Sequence, residues 1–133
     1  MQKEEKENKL IYVWCDFEST GIWGLTNEGY LGNADYERFD LPQGLVVRFK
    51  FWERWFSDTY VEWNDERNKM DRKLFDAYGL SLAVDLKRFT GDKHRIFYGH
   101  LNDENCVEII LVERERSETE LGKIVPMSLL CKK

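Results

Sequence analysis

What is missing from this chain narrows its function first. No stretch approaches the ~20 consecutive apolar residues that span a bilayer, so no membrane association is expected. Residues Met1 to Lys9 are polar and mixed in charge, with no apolar core. They read as a frayed lead-in rather than a secretory signal. Cysteine is scarce: Cys15, Cys106 and Cys131 are odd in number and widely spaced, which fits neither a disulfide framework nor a zinc site. A reducing cytoplasm is the expected compartment. There is no internal repeat and no linker rich in Pro, Gly or Ser, so residues 10–133 read as one domain. The glycines between 21 and 32 lead to no Gly-Lys-Ser/Thr, which excludes a phosphate loop. No cofactor or metal is implied. Net charge is −5 and the bases are interleaved with acids, so nucleic acid is not an expected partner.

Aromatics and acids are abundant. Five Trp, six Tyr and eight Phe in 133 residues bring enough apolar area to dominate a core. The acids are clustered. Residues 16–40 carry Asp16, Glu18, Glu28, Asp35, Glu37 and Asp40 against Arg38 alone. Residues 101–121 carry Asp103, Glu104, Glu108, Glu113, Glu115, Glu118 and Glu120 against Arg114 and Arg116. If the two segments meet in the fold, their field attracts cationic partners. If they do not, they are two solvated loops.

Leu10 to Trp14 is β-branched and aromatic, and apolar at every position, which predicts an interior strand. It empties into Cys15-Asp16-Phe17-Glu18-Ser19-Thr20-Gly21-Ile22-Trp23-Gly24, the start of a long loop over 15–40 with a short strand at 22–25. A helix is expected to begin near Asp40-Leu41-Pro42. Leu45, Phe49, Trp52 and Phe56 follow at i, i+4, i+7 and i+11 on one face, and Val46, Phe51 and Trp55 widen the stripe. A second helix is expected from about Asp71 to Thr90, stopped by Gly91. Gly79 inside it costs roughly 1 kcal/mol against Ala, which close approach of another backbone would explain. Strands are expected at 95–98, 107–112 and 124–127, the first two joined as a hairpin across 102–105, with Pro126 marking an edge. The expected fold is α+β in the order β, long loop, α, α, β, β, β. A pair of helices packs on one face of a mainly antiparallel sheet of about four strands.

Three candidate chemistries follow from residue type. Asp16 and Glu18, in an extended chain, would share one side and could hold a divalent ion or divide acid–base duty, although no third ligand lies near them in sequence. His94 and His100 flank a strand on the same sheet face but far apart, and a catalytic His needs an orienting acid and a target within hydrogen-bond reach, so both read as surface residues at strand ends. Cys15, beside Asp16, should have a raised rather than a lowered pKa, which suits a buried structural thiol. Trp14 and Trp23 read either as core or as exposed binding anchors.

The run Ile11-Tyr12-Val13-Trp14-Cys15-Asp16-Phe17-Glu18 with Gly21-Ile22-Trp23, then Leu41-Pro42, Phe51-Trp52-Glu53-Arg54-Trp55-Phe56 and Phe75-Asp76-Ala77-Tyr78-Gly79-Leu80-Ser81-Leu82-Ala83 with Leu86-Lys87, resembles small bacterial immunity proteins of contact-dependent and polymorphic toxin systems. The resemblance spans residues 10–98. It implies a non-catalytic, cytoplasmic, monomeric or weakly dimeric protein that neutralises a cognate toxin domain, often a nuclease, by occluding its basic active site. The residues expected to dock are Asp16, Glu18 and Trp23 from the long loop and Asp103, Glu104, Glu113 and Glu115 from the hairpin region. The alternatives are a small metal-dependent hydrolase using Asp16 and Glu18, and a regulatory subunit that buries Phe51 and Trp55 in a dimer.

Overall fold

The computed structural model describes residues 10–26, 29–59, 71–100, 105–112 and 118–126. β1 (Leu10–Val13) lies inside the sheet, between β2 (Ile22–Leu25) and β4 (Arg95–Gly99), which is why it is apolar on both faces. The remaining elements are β3 (Leu31–Asn33), α1 (Gln43–Thr59), α2 (Arg72–Thr90), β5 (Asn105–Val112) and β6 (Glu118–Pro126). The sheet order is β3-β2-β1-β4-β5-β6. The fold is therefore α+β with a mainly antiparallel sheet, but the sheet has six strands rather than about four and one of its pairings, β1 with β4, is parallel. Two features account for the difference. The segment expected as a long loop folds as the β2–β3 hairpin followed by a 3-10 turn at Tyr36–Phe39. The helical pair also carries the chain across the sheet, so β4 returns parallel to β1, with Tyr12 opposite Phe97.

Both helices cover one sheet face. Ile11, Val13, Cys15, Ile22, Ile96, Tyr98, Val107 and Ile109 meet Phe49, Trp52, Phe56, Phe75, Leu82 and Leu86 there. Each large side chain in this layer contributes roughly 1.5–3 kcal/mol on burial. The opposite face gathers Tyr12, Phe97 and Cys106 with Trp14, Trp23, Leu31 and Val125 around them. α1 starts two residues later than Asp40-Leu41. Asp40 is in the left-handed region (φ 53°) and ends the 3-10 turn, while the Pro42 carbonyl accepts from Leu45 and Val46. α2 matches its sequence signals. The Asp71 carboxylate accepts from the Leu74 N–H at 3.1 Å, and Gly91 ends the helix with a φ of 61°.

Antiparallel packing of the helices is fixed at both ends, by Arg48 Nη1 to Asp85 Oδ2 at 2.6 Å and by Trp52 stacked on Phe75 at 5.1 Å. β6 is an edge strand. Ile109 faces Leu121 and Val107 faces Ile124, so two β6 residues, Gly122 and the exposed Lys123, bulge opposite Glu108 alone. A bulge and a charge at an edge discourage pairing with another chain. Among the described residues no helix is long and apolar enough to cross a membrane.

Candidate functional site

β1 and β4 are parallel neighbours, so the segments that follow them leave the sheet at the same end. At such ends, side chains from separate loops converge. Cys15 to Gly21 follow β1 and His100 follows β4. The first half of α2 and the last half of α1 close over them, as the Tyr98–Asp76 and Trp52–Phe75 contacts require.

The segment after β1 is a turn, not an extended pair of acids. The Ser19 N–H donates to the Asp16 carbonyl at 3.3 Å, and the Asp16 carboxylate accepts from the Phe17 N–H at 2.8 Å. Glu18 has a φ of 60°, so its carboxylate does not share a side with that of Asp16. A left-handed glutamate costs on the order of 1 kcal/mol and persists only where its surroundings hold it.

Several elements hold this one. From α1, Glu53 Oε2 accepts from the Ser19 hydroxyl at 2.5 Å. From β3, Asn33 Oδ1 accepts from the Thr20 N–H at 2.9 Å. From the 3-10 turn, the Tyr36 hydroxyl donates to the Thr20 carbonyl at 2.7 Å. The pinned turn displays Phe17, 43% exposed, with its ring 4.8 Å from Phe56, between a half-buried Asp16 and an exposed Glu18.

Glu53 was not singled out from the sequence, although the signal was present. It sits four residues after Phe49, on the apolar stripe, where a carboxylate is buried unless the helix turns. It is 7% exposed, and burial raises its pKa to about 7. The charge of Asp16 adds to that, while hydrogen bonds from Ser19, Cys15 and the Asp16 backbone oppose it. Burial, followed by the charge of Glu53, pushes the Cys15 thiol far above its ordinary range, so it is no nucleophile at neutral pH. Burial likewise raises the Tyr36 and Tyr98 phenols. Asp76, also missed, accepts from the Tyr98 hydroxyl at 2.6 Å and lies 3.6 Å from His100 Nδ1. His94, at the other end of β4, packs edge-on against Phe39. Among the described residues no group of three or more His, Cys, Asp or Glu is placed to hold a metal ion.

The residues expected to dock are distributed unevenly. Asp16 and Glu18 are on the turn. Trp23 is not on it: it lies in β2 opposite Tyr12, half-buried on the outer sheet face. Its indole N–H donates to the Trp14 carbonyl at 2.9 Å, and its ring packs on Trp14 at 5.7 Å. Phe17 is the exposed aromatic of the Asp16–Ser19 turn itself. Asp103, Glu104, Glu113 and Glu115 fall outside the described residues. The strands that flank them are described. The chain leaves β4 at Gly99 and re-enters at Asn105, at the end of the sheet that carries the turn. It leaves β5 at Val112 and re-enters at Glu118, at the opposite end. Eight residues of β5 separate those ends by roughly 25 Å. No protein-family model and no curated protein matches the chain.

Proposed function

We propose that this chain is a non-catalytic immunity-type protein that neutralises a cationic toxin domain by docking on it with the Asp16–Ser19 turn. The observation that carries the proposal is an exposed Phe17 between two acids on a turn fixed from α1, β3 and the 3-10 turn. Interface hot spots combine an aromatic anchor with a charged rim, and a turn already held in place loses little freedom on binding. Carboxylates at its margin steer a basic partner toward it. Asp103 and Glu104 lie in sequence between Gly99 and Asn105, which border this end of the sheet, and are proposed to add to the acidic rim. Glu113 and Glu115 lie in sequence between Val112 and Glu118, which border the opposite end, and are proposed to add to the long-range field. The net charge of −5 favours association with a basic cleft and disfavours nucleic acid.

The test uses the toxic domain encoded beside this chain, co-produced with it in a growth assay. Wild type restores growth. Phe17→Ala combined with Glu18→Gly abolishes rescue, although the fold is undamaged. Glycine adopts a φ of 60° without strain, so Glu18→Gly alone leaves the thermal midpoint unchanged or higher. Full rescue by the double variant at wild-type stability rules out docking through this turn.

A further inference from the structure

The side of the helical layer that faces away from the sheet is not solvated like an ordinary surface. Val47, Phe51 and Leu74 are 54%, 55% and 59% exposed. The Phe51 ring lies 6.2 Å from Trp55 and 5.5 Å from Tyr78, both partly buried at the seam between α1 and α2. The five side chains form one apolar strip along that seam. Single exposed apolar residues are unremarkable, but a contiguous aromatic strip marks a contact surface. Among the described residues, small or exposed positions border it. Gly44, one turn before Val47, has nothing within 4 Å of the position of a Cβ, and Ala77 and Ser81 are exposed beside it.

Charge selects the occupant. In a protein of net charge −5, the exposed helix surface carries Lys50, Arg54, Arg72, Lys73 and Arg88 against Asp58, with Arg48 and Arg88 both paired to Asp85 beside the seam. A second copy is a poor fit. Two such faces brought together would oppose cation to cation, and five half-exposed side chains fall well short of the roughly 800 Å² per partner of a stable dimer. Nucleic acid is opposed by the net charge of the whole chain. A single amphipathic helix needs less area, lays its apolar face along a groove between two helices, and offers acids to the flanking bases.

We propose that the groove between α1 and α2, centred on Phe51, is a second protein-binding surface that receives an acidic amphipathic helix from a partner. This surface is separate from the Asp16–Ser19 turn and stands whether or not that turn binds a toxin.

The probe is a synthetic helical peptide of about 16 residues with Leu and Phe at i, i+4, i+7 and i+11 and Glu elsewhere, titrated into the full chain and followed by NMR. Its counterpart has Lys in place of every Glu. The acidic peptide is expected to shift the signals of Val47, Phe51, Trp55 and Tyr78, with a dissociation constant on the order of 10 to 100 µM, and the Lys peptide is not. Arg54→Glu changes an exposed side chain and should melt with wild type, Phe51→Ser gives up only the ring contacts with Trp55 and Tyr78 and should stay folded, and each is expected to weaken binding at least about tenfold. Four results overturn the proposal: no shifts from the acidic peptide, equal binding of the Lys peptide, self-association that Phe51→Ser abolishes, or a short single-stranded RNA shifting the same residues.

Discussion

Gly79→Ala is expected to destabilise the protein by about 3 kcal/mol, a fall of roughly 10 °C in the thermal midpoint. The direction is the reverse of helix propensity, which favours alanine by about 1 kcal/mol. A Cβ at position 79 would lie 2.3 Å from Trp52 Cζ2 and 2.7 Å from Tyr98 Cε1. Neither ring can yield cheaply. Trp52 is fully buried, stacked on Phe75, and donates its indole N–H to the Phe75 carbonyl at 3.2 Å. Tyr98 is fully buried and tied to Asp76. The same substitution at Gly44, an exposed α1 position with open space around it, is expected to raise stability by about 0.5–1 kcal/mol. Chemical denaturation of the two variants checks both signs. A Gly79→Ala protein as stable as wild type would mean that the helix does not lie on Trp52 and Tyr98 as described.

Glu53→Gln is expected to stabilise the protein by roughly 3 kcal/mol above pH 8 and to have little effect near pH 4. Burial raises the Glu53 pKa from 4.5 to about 7, so the fold retains a proton that the unfolded chain releases. The contribution of this group is then complete below its unfolded pKa and is lost as pH rises through the folded one. Glutamine does not titrate. Its side-chain carbonyl still accepts from Ser19, so the gap between variant and wild type opens across pH 4.5 to 7. Urea midpoints measured at pH 4, 6 and 8 reveal the trend. A constant gap at all three values would show that Glu53 titrates normally and is not enclosed between α1 and the turn.

The helices were legible because their signals are local: the stripe Leu45, Phe49, Trp52 and Phe56, the cap at Asp71, and the stop at Gly91. Gly79 also announced a close approach, but the Trp52 and Tyr98 rings, not a backbone, are what approach it. The sheet was legible strand by strand but not as a whole. Leu31–Asn33 is too short and glycine-containing to show a period of two, and its pairing with β2 depends on a turn that sequence pattern did not isolate. The parallel β1–β4 pairing is a long-range consequence of where the helical pair delivers the chain, and no residue encodes it locally. Only the 124–127 end of β6 was read as strand, because Glu118 and Glu120 look solvated and Gly122-Lys123 breaks the alternation, where a bulge keeps the strand continuous from Glu118.

At the site, Asp16 and Glu18 were found by type, but their turn was not. An αL glutamate is held by partners 13 to 34 residues away, among them Asn33 and Glu53. Phe17 was passed over for Trp23 because the larger ring draws attention in a sequence, whereas exposure is decided by strand register.

The most direct test of docking through the turn is amide hydrogen exchange of the full chain, free and bound to a toxin domain that it neutralises in the growth assay. Binding is expected to slow exchange at Phe17 to Ser19 and in the segment after Gly99, and to leave 113–117 unchanged. Protection confined to 113–117, with unaltered exchange at Phe17 and Glu18, would contradict it.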